Sequence, residues 1–215
     1  MIDKTSIIYP NVIMGKNVEV QPYVILGMPT ANDNDKLIIG DNSIIRSHTV
    51  IYAGCEIGNN FNCGHGVRIR ENVKIGNNSQ IGTNSQLEGY ITIGNNAKIH
   101  TNVHIGQKSE IGNNVFIAPG VVLTNVLHPL CPEAKKCLKG ATIKDGVKIG
   151  ANSTVNPGII INENVLVGSG SVVAHDIEKN NVVIGNPAKV VKSIYDLKCP
   201  FGIIERPYFE YMEND

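Results

Sequence analysis

The chain has 215 residues, with 19 basic and 19 acidic side chains and no long block of either sign, so the electrostatic footprint for a polyanion or an anionic membrane is missing. The start, Met1-Ile2-Asp3-Lys4-Thr5, has no basic-then-apolar leader, and no stretch approaches the roughly eighteen apolar residues of a membrane helix, which predicts a soluble cytoplasmic protein. The odd count of five cysteines, in a chain long enough to bury a core, points to reduced thiols rather than a disulfide framework. Trp is absent while Asn occurs 26 times and Gly 22 times, a composition suited to many thin layers joined by tight turns.

Taken in chain order, an aliphatic phase of six opens with Ile8, Met14, Val20 and Leu26 and then meets seven extra residues in the segment 27–36. It runs next from Ile39 to Leu123 without a break, fifteen positions filled by Ile or Leu except for Cys63. Ile39-Gly40-Asp41-Asn42 returns in kind at Ile57, Ile75, Ile93 and Ile111, each 18 residues on. A helix cannot hold such a phase, because its apolar stripe drifts at 3.6 residues per turn. A period of six with one inward aliphatic and Asn or Gly at the corners predicts an all-β fold, a parallel β-helix with three short faces per coil. Fourteen extra residues, at about 124–140, form an external loop; the phase resumes at Ile143, Ile149, Val155, Ile161, Val167 and Val173. The 25 hexads make about eight coils. Beyond Asp176 the repeat weakens. The expected plan is a β-helix over 1–176 with insertions near 27–36 and 124–140, and a closing segment over 177–215, as a short helix or an extended tail.

The hexads, the loop after Leu123 and the ending Gly185-Asn186-Pro187-Ala188-Lys189-Val190-Val191 together resemble the left-handed β-helix acyltransferases. Within them, Ile99-His100-Thr101-Asn102-Val103-His104-Ile105 followed by Val121-Val122-Leu123-Thr124-Asn125 is similar to the nucleotide-sugar N-acyltransferases. The resemblance implies a left-handed coil, a homotrimer with active sites between subunits, an acyl-coenzyme A donor (acetyl-CoA or a short homologue) and a nucleotide-linked amino sugar as acceptor. A threefold ring is also a common way for a prism to bury an outer face.

Stacking by 18 makes outward neighbours of Asn84 and Asn102, of Arg70 and Glu88, and of Arg68, Gln86 and His104. The Arg70–Glu88 pair is expected to be either an exposed ion pair or part of a site. Asn84 and Glu88 resemble the patch that meets the acceptor amine, a carbonyl and a carboxylate able to orient it; as a plain corner residue Asn84 needs no such role. His128-Pro129 in the loop resembles the His-Pro step of the galactoside and maltose O-acetyltransferases. A hydroxyl acceptor needs that imidazole as base, whereas an amine carries its own lone pair. An O-acetyltransferase with His128 as general base is therefore the alternative function, a non-enzymatic repeat scaffold a third. His104 is a further candidate beside the acceptor.

For the donor, the resemblance assigns Ala151 and Ser169, 18 apart, as small residues lining the pantetheine arm, with Ala174 in the same pattern and Lys189 near the nucleotide phosphates. Cys131, Cys137 and Cys199, with His128 or His104, are weighed as a zinc site, but a spacing of six positions between the first two is wider than usual, and free thiols are the simpler expectation. Cys55 and Cys63 are assigned to the core. The γ-class carbonic anhydrases share the fold and bind metal through three histidines; here His65, His100 and His104 lie two after, one after and one before their inward residues, which does not match that ligand phase.

Overall fold

Each hexad yields a two-residue strand, an outward residue followed by an inward aliphatic, and a corner that turns the chain through the next face. The computed structural model describes residues 1–32 and 34–208. Three parallel sheets result. Face 1 has nine strands from Ile7–Ile8 to Val172–Val173, face 2 eight from Val12–Met14 to Ile160–Ile161, and face 3 ten, beginning at Glu19–Val20. The predicted register holds: Ile57 pairs with Ile39 and Ile75, Ile93 with Ile75 and Ile111. Both insertions are absorbed between layers, as Met14 pairs with Ile39 and Leu123 with Val155. The stack reaches about ten layers on face 3, beyond the roughly eight coils counted from the hexads, because its last two strands come from the closing segment.

That segment is extended. Asn181–Gly185 adds in parallel to Leu166–Val167 on face 3, and Ala188–Ser193 folds back on it antiparallel, followed by the 3-10 turn Ile194–Asp196. The hairpin covers what would otherwise be an open sheet end. No helix of the described residues is long and apolar enough to cross a membrane.

The core is one column of ladders, Ile45, Ile69, Ile81, Leu87, Ile99 and Ile117 among them, all essentially inaccessible, with Cys55 and Cys63 in it as expected. Burying each such aliphatic contributes about 1.5–3 kcal/mol. Small buried hydroxyls close the corners: Ser85 Oγ donates to the His100 carbonyl at 2.8 Å and Ser79 Oγ to Gly94 at 3.0 Å. Asn is abundant because it serves twice. Among the described residues, twelve of the seventeen non-glycine residues at positive φ are Asn, the side chain that best tolerates this conformation; the exceptions, Tyr23, His48, Tyr90, Lys108 and Leu130, stand out for that reason. At the corner between faces 2 and 3, Asn amides also bond coil to coil, Asn60 to Asn78 at 2.8 Å and Asn96 to Asn114 at 3.1 Å.

Candidate functional site

Face 1 is bounded by two edges of different character. The first, where the chain passes from face 3 to face 1, is regular: Asn84 N donates to His65 O (2.9 Å), Asn102 N to Thr83 O (2.9 Å), Gly120 N to Thr101 O (3.0 Å), Asn152 N to Pro119 O (3.0 Å) and Gly170 N to Ala151 O (2.8 Å). The second, between faces 1 and 2, is where both insertions leave the prism, after the strands Ile25–Met28 and Val122–Leu123.

Along the regular edge the chemistry changes with height. Its N-terminal coils carry Arg46, His48, His65, Asn84, His100 and Asn102; its later coils carry Ala118, Pro119, Ala151, Ser169 and glycines. A recess of about 260 Å³ opens in the first half, lined by Arg46, His65, Gln80, Thr83 and His100. Ser47 Oγ lies 2.8 Å from His65 Nδ1, and Arg46 Nη1 donates to the Asn62 side chain and to the Cys63 carbonyl, so the recess walls are held in place. The His100 ring packs 4.9 Å from Phe116, and Phe116 in turn borders a larger groove of about 640 Å³ beside the later coils. Lys98, Lys148, Gly150, Gly168 and Ser169 line this groove, and Tyr208 of the closing segment lies at its side, its ring 4.8 Å from the Lys148 ammonium. Half-burial lowers the Lys148 pKa, since desolvation disfavours the charged form. Backbone flanked by Gly and Ser admits a thin flexible chain, and two lysines suit the anionic end of such a molecule.

The sequence candidates divide between these edges. Asn84, exposed, and Ala151 and Ser169 stand on the regular edge, whereas Glu88 and the loop bearing His128 belong to the interrupted one. His104 lies between, outward on face 1, paired with Gln86 and Val122 and half-buried. Ala174 follows Val172–Val173 and so stands at the interrupted edge, across the face from Ser169. Lys189 is on the closing hairpin opposite Ile184, whose side chain covers Gly168; this brings the lysine to the C-terminal end of the regular edge. The external loop is closed at its neck by Lys139 N on Asn125 O (3.1 Å), and His128 is fully on its exposed side.

One expectation changes. Arg70 does not pair with Glu88: its Nε and Nη2 fork onto Glu71 at 3.1 and 3.0 Å, because the adjacent carboxylate reaches both donors, and that contact raises the Arg70 pKa. The three non-core cysteines are not gathered: all are free thiols, and among the described residues no three His, Cys, Asp or Glu side chains come together as a metal set. Sequence reasoning missed a polar recess beneath the first insertion, although Tyr90, in a corner position that Gly54 and Asn72 fill in the coils before it, marked the spot.

Family models for the bacterial transferase hexapeptide (six repeats) match residues 90–125 and 140–175, and one for the hexapeptide repeat of succinyl-transferase matches 72–107. These matches span less than half of the chain, which carries the bacterial transferase hexapeptide repeat there and resembles the hexapeptide-repeat acyltransferases. Galactoside O-acetyltransferase of Escherichia coli is 38% identical to this hexapeptide-repeat protein over 86 residues, covering 38% of the chain and 42% of the relative. 2,3,4,5-Tetrahydropyridine-2,6-dicarboxylate N-acetyltransferase of Clostridium perfringens is 39% identical over 80 residues, 37% of the chain and 31% of the relative. The chain thus spans less than half the length of these curated relatives. The UDP-N-acetylglucosamine acyltransferase structure from Francisella novicida superposes with a TM-score of 0.75 at 18% identity, covering 90% of this chain and 70% of that one, a likeness of fold.

Proposed function

We propose that the protein is an acetyl-coenzyme A-dependent acyltransferase whose acceptor is the amino group of a nucleotide-linked sugar. The observation that carries the donor half is the change along the regular edge, from Arg, His and Asn in coils 46–102 to small residues in coils 118–170 beside a groove with Lys98 and Lys148. Small residues let the pantetheine arm lie against backbone, the lysines and Lys189 face its phosphates, and coenzyme A supplies the activated acyl group. The amino-sugar half rests on Asn84, Glu88 and the segment 99–105.

The chemistry is direct. The amine lone pair attacks the thioester carbon, the C–N bond forms, the C–S bond breaks, and the thiolate leaves as the nitrogen loses its extra proton. Asn84 and Glu88 orient the amine; His104 or His128 receives the proton. Because Asn84 and Glu88 lie on opposite edges of face 1, a site that uses both is completed by a second copy of the chain, which supports a homotrimer with shared sites. An acceptor and donor of this kind place the enzyme in the cytoplasm.

A second reading, an O-acetyltransferase with His128 as base, is favoured by the exposed loop position of His128 and by the galactoside O-acetyltransferase among the relatives. Thiol release from acetyl-coenzyme A against nucleotide-linked 3-amino and 4-amino sugars and their hydroxyl counterparts separates the two. Turnover with the amino sugars alone is expected; turnover with the hydroxyl acceptors alone overturns N-acylation.

A further inference from the structure

The recess beneath the first insertion has a volume of about 550 Å³, and none of the residues assigned to the transfer chemistry or the donor lines it. Its floor is the interrupted edge, with Tyr52, Arg70, Glu71 and Tyr90; its roof is the inserted loop, with Thr30 and Asp35. That roof is built to hold its shape. Thr30 Oγ1 donates to Asp35 Oδ2 at 2.8 Å and Asn32 Nδ2 to Asp35 Oδ1 at 2.7 Å. Asn11 Nδ2 donates to the Asp35 carbonyl at 3.1 Å, and Gly54 N to the Lys36 carbonyl at 2.9 Å, pinning the C-terminal end of the loop to the prism. In the floor, the Arg70 guanidinium is fixed by its fork to Glu71 and lies over the Tyr52 ring, 5.8 Å from its centroid.

Tyr90 is the telling residue. It holds φ 54, a left-handed conformation that disfavours bulky side chains, at a corner position where Gly54 and Asn72 serve in the preceding coils. Strain at a residue whose ring borders a recess points to a ligand for that ring. The charge of the recess selects the ligand. Arg70 is balanced by Glu71, and Asp35 leaves a net negative charge, so phosphate or the nucleotide end of coenzyme A is disfavoured there. Two phenol rings with fixed donors and acceptors between them suit a flat neutral heterocycle with a polar rim.

We propose that this recess receives the nucleoside of the acceptor, its base against Tyr90 and its polar rim on the Arg70–Glu71 pair. The phosphates stay outside, where Lys108, one coil further along the same edge, supplies a positive charge. This rests on the nucleotide-linked acceptor proposed above and assigns its recognition to residues that the transfer chemistry does not use.

The test compares the full-length protein with Tyr90→Asn, which the backbone accepts as it does Asn72, and with Tyr52→Leu. Uridine and thymidine 5′-monophosphates are the probes, titrated without acyl donor and followed by ligand-observed NMR and calorimetry. The unchanged protein is expected to bind one of them, and Tyr90→Asn to weaken that binding about tenfold or more, the scale of one lost base-stacking contact. In turnover, KM for the nucleotide-linked sugar rises by the same factor while kcat, and KM for the free amino sugar, stay as they were. Nucleotide binding that Tyr90→Asn weakens, with no thiol release from any acceptor, upholds the recess and sinks the transfer reading. Normal turnover with Tyr90→Asn and Tyr52→Leu binding both nucleotides as the unchanged protein does, while melting at the same temperature, overturns the recess. So does preference for a free pyranose, or no nucleotide binding at all.

Discussion

The two edges of face 1 are made of the same hexads yet have opposite tolerances. The regular edge is stacked backbone on backbone, with no extra residue in any coil from 46 to 170, so its chemistry can vary only through the side chains at each level. The interrupted edge carries seven and fourteen extra residues, and its variety lies in what those loops cover. A repeat fold thus keeps one edge in strict register and leaves the other free to carry loops.

The sharpest way to break this contrast is to crowd the regular edge. A methyl group on Gly82 would land on the His100 carbonyl carbon and the Thr101 nitrogen, so Gly82→Ala is expected to cost about 3 kcal/mol in urea unfolding. Two residues added at the loop tip between Pro132 and Glu133 should cost less than about 0.5 kcal/mol in the same assay. Equal costs would remove the distinction between the edges. Next comes Asn84→Gly, which keeps the backbone at φ 58 and deletes the amide. Steady-state kinetics should show kcat/KM down about 100-fold, about 2.7 kcal/mol of lost positioning, with the melting temperature within a few degrees. His128→Ala, on the other edge, should lower kcat less than about tenfold with an amine acceptor; a fall of about 10²–10⁴ would make the loop the source of the base.

The smallest effect is a count of thiols. Burial pushes Cys55 up to about 12 and raises Cys63, which keeps both as neutral, unreactive thiols on the inner side of the ladders. Cys131, Cys137 and Cys199 lie outside, and backbone N–H groups, chiefly that of Ile204, lower the Cys199 pKa. A disulfide reagent at pH 8 should therefore titrate three thiols in the native protein and five after unfolding, with Cys199 reacting at the lowest pH.

How much of this was legible follows from what each signal depends on. The ladder from Ile39 to Leu123 was readable because inward packing fixes a residue type at every sixth position, and all of those residues are buried. The last coil was not, because it is two residues short. Ile161 bridges to Ile177 and Val167 pairs with Val183, steps of 16 that slip the phase just where the sequence stops looking periodic. At the N-terminal end Ile8 and Met14 keep the phase but are only partly buried, since fewer coils flank them. For the site, stacking by 18 gave the His104–Gln86–Arg68 column, a matter of register. It could not decide that Arg70 turns to Glu71 instead of Glu88, because that choice lies in side-chain rotamers at a corner. The recess of Tyr52 and Tyr90 depended on a loop folding back over other coils, which no local pattern encodes.

Because the two insertions leave the same edge, the distance between them is set by counting. From Leu37–Ile39, which follows the first, to Thr142–Ile143, which follows the second, face 2 advances five strands, about 24 Å at the usual spacing of neighbouring strands. Duplicating or losing one 18-residue unit would change that span by one strand step while leaving every residue at both ends untouched. A repeat built this way can change the spacing of its two loops in fixed increments, as one lengthens a ladder by a rung.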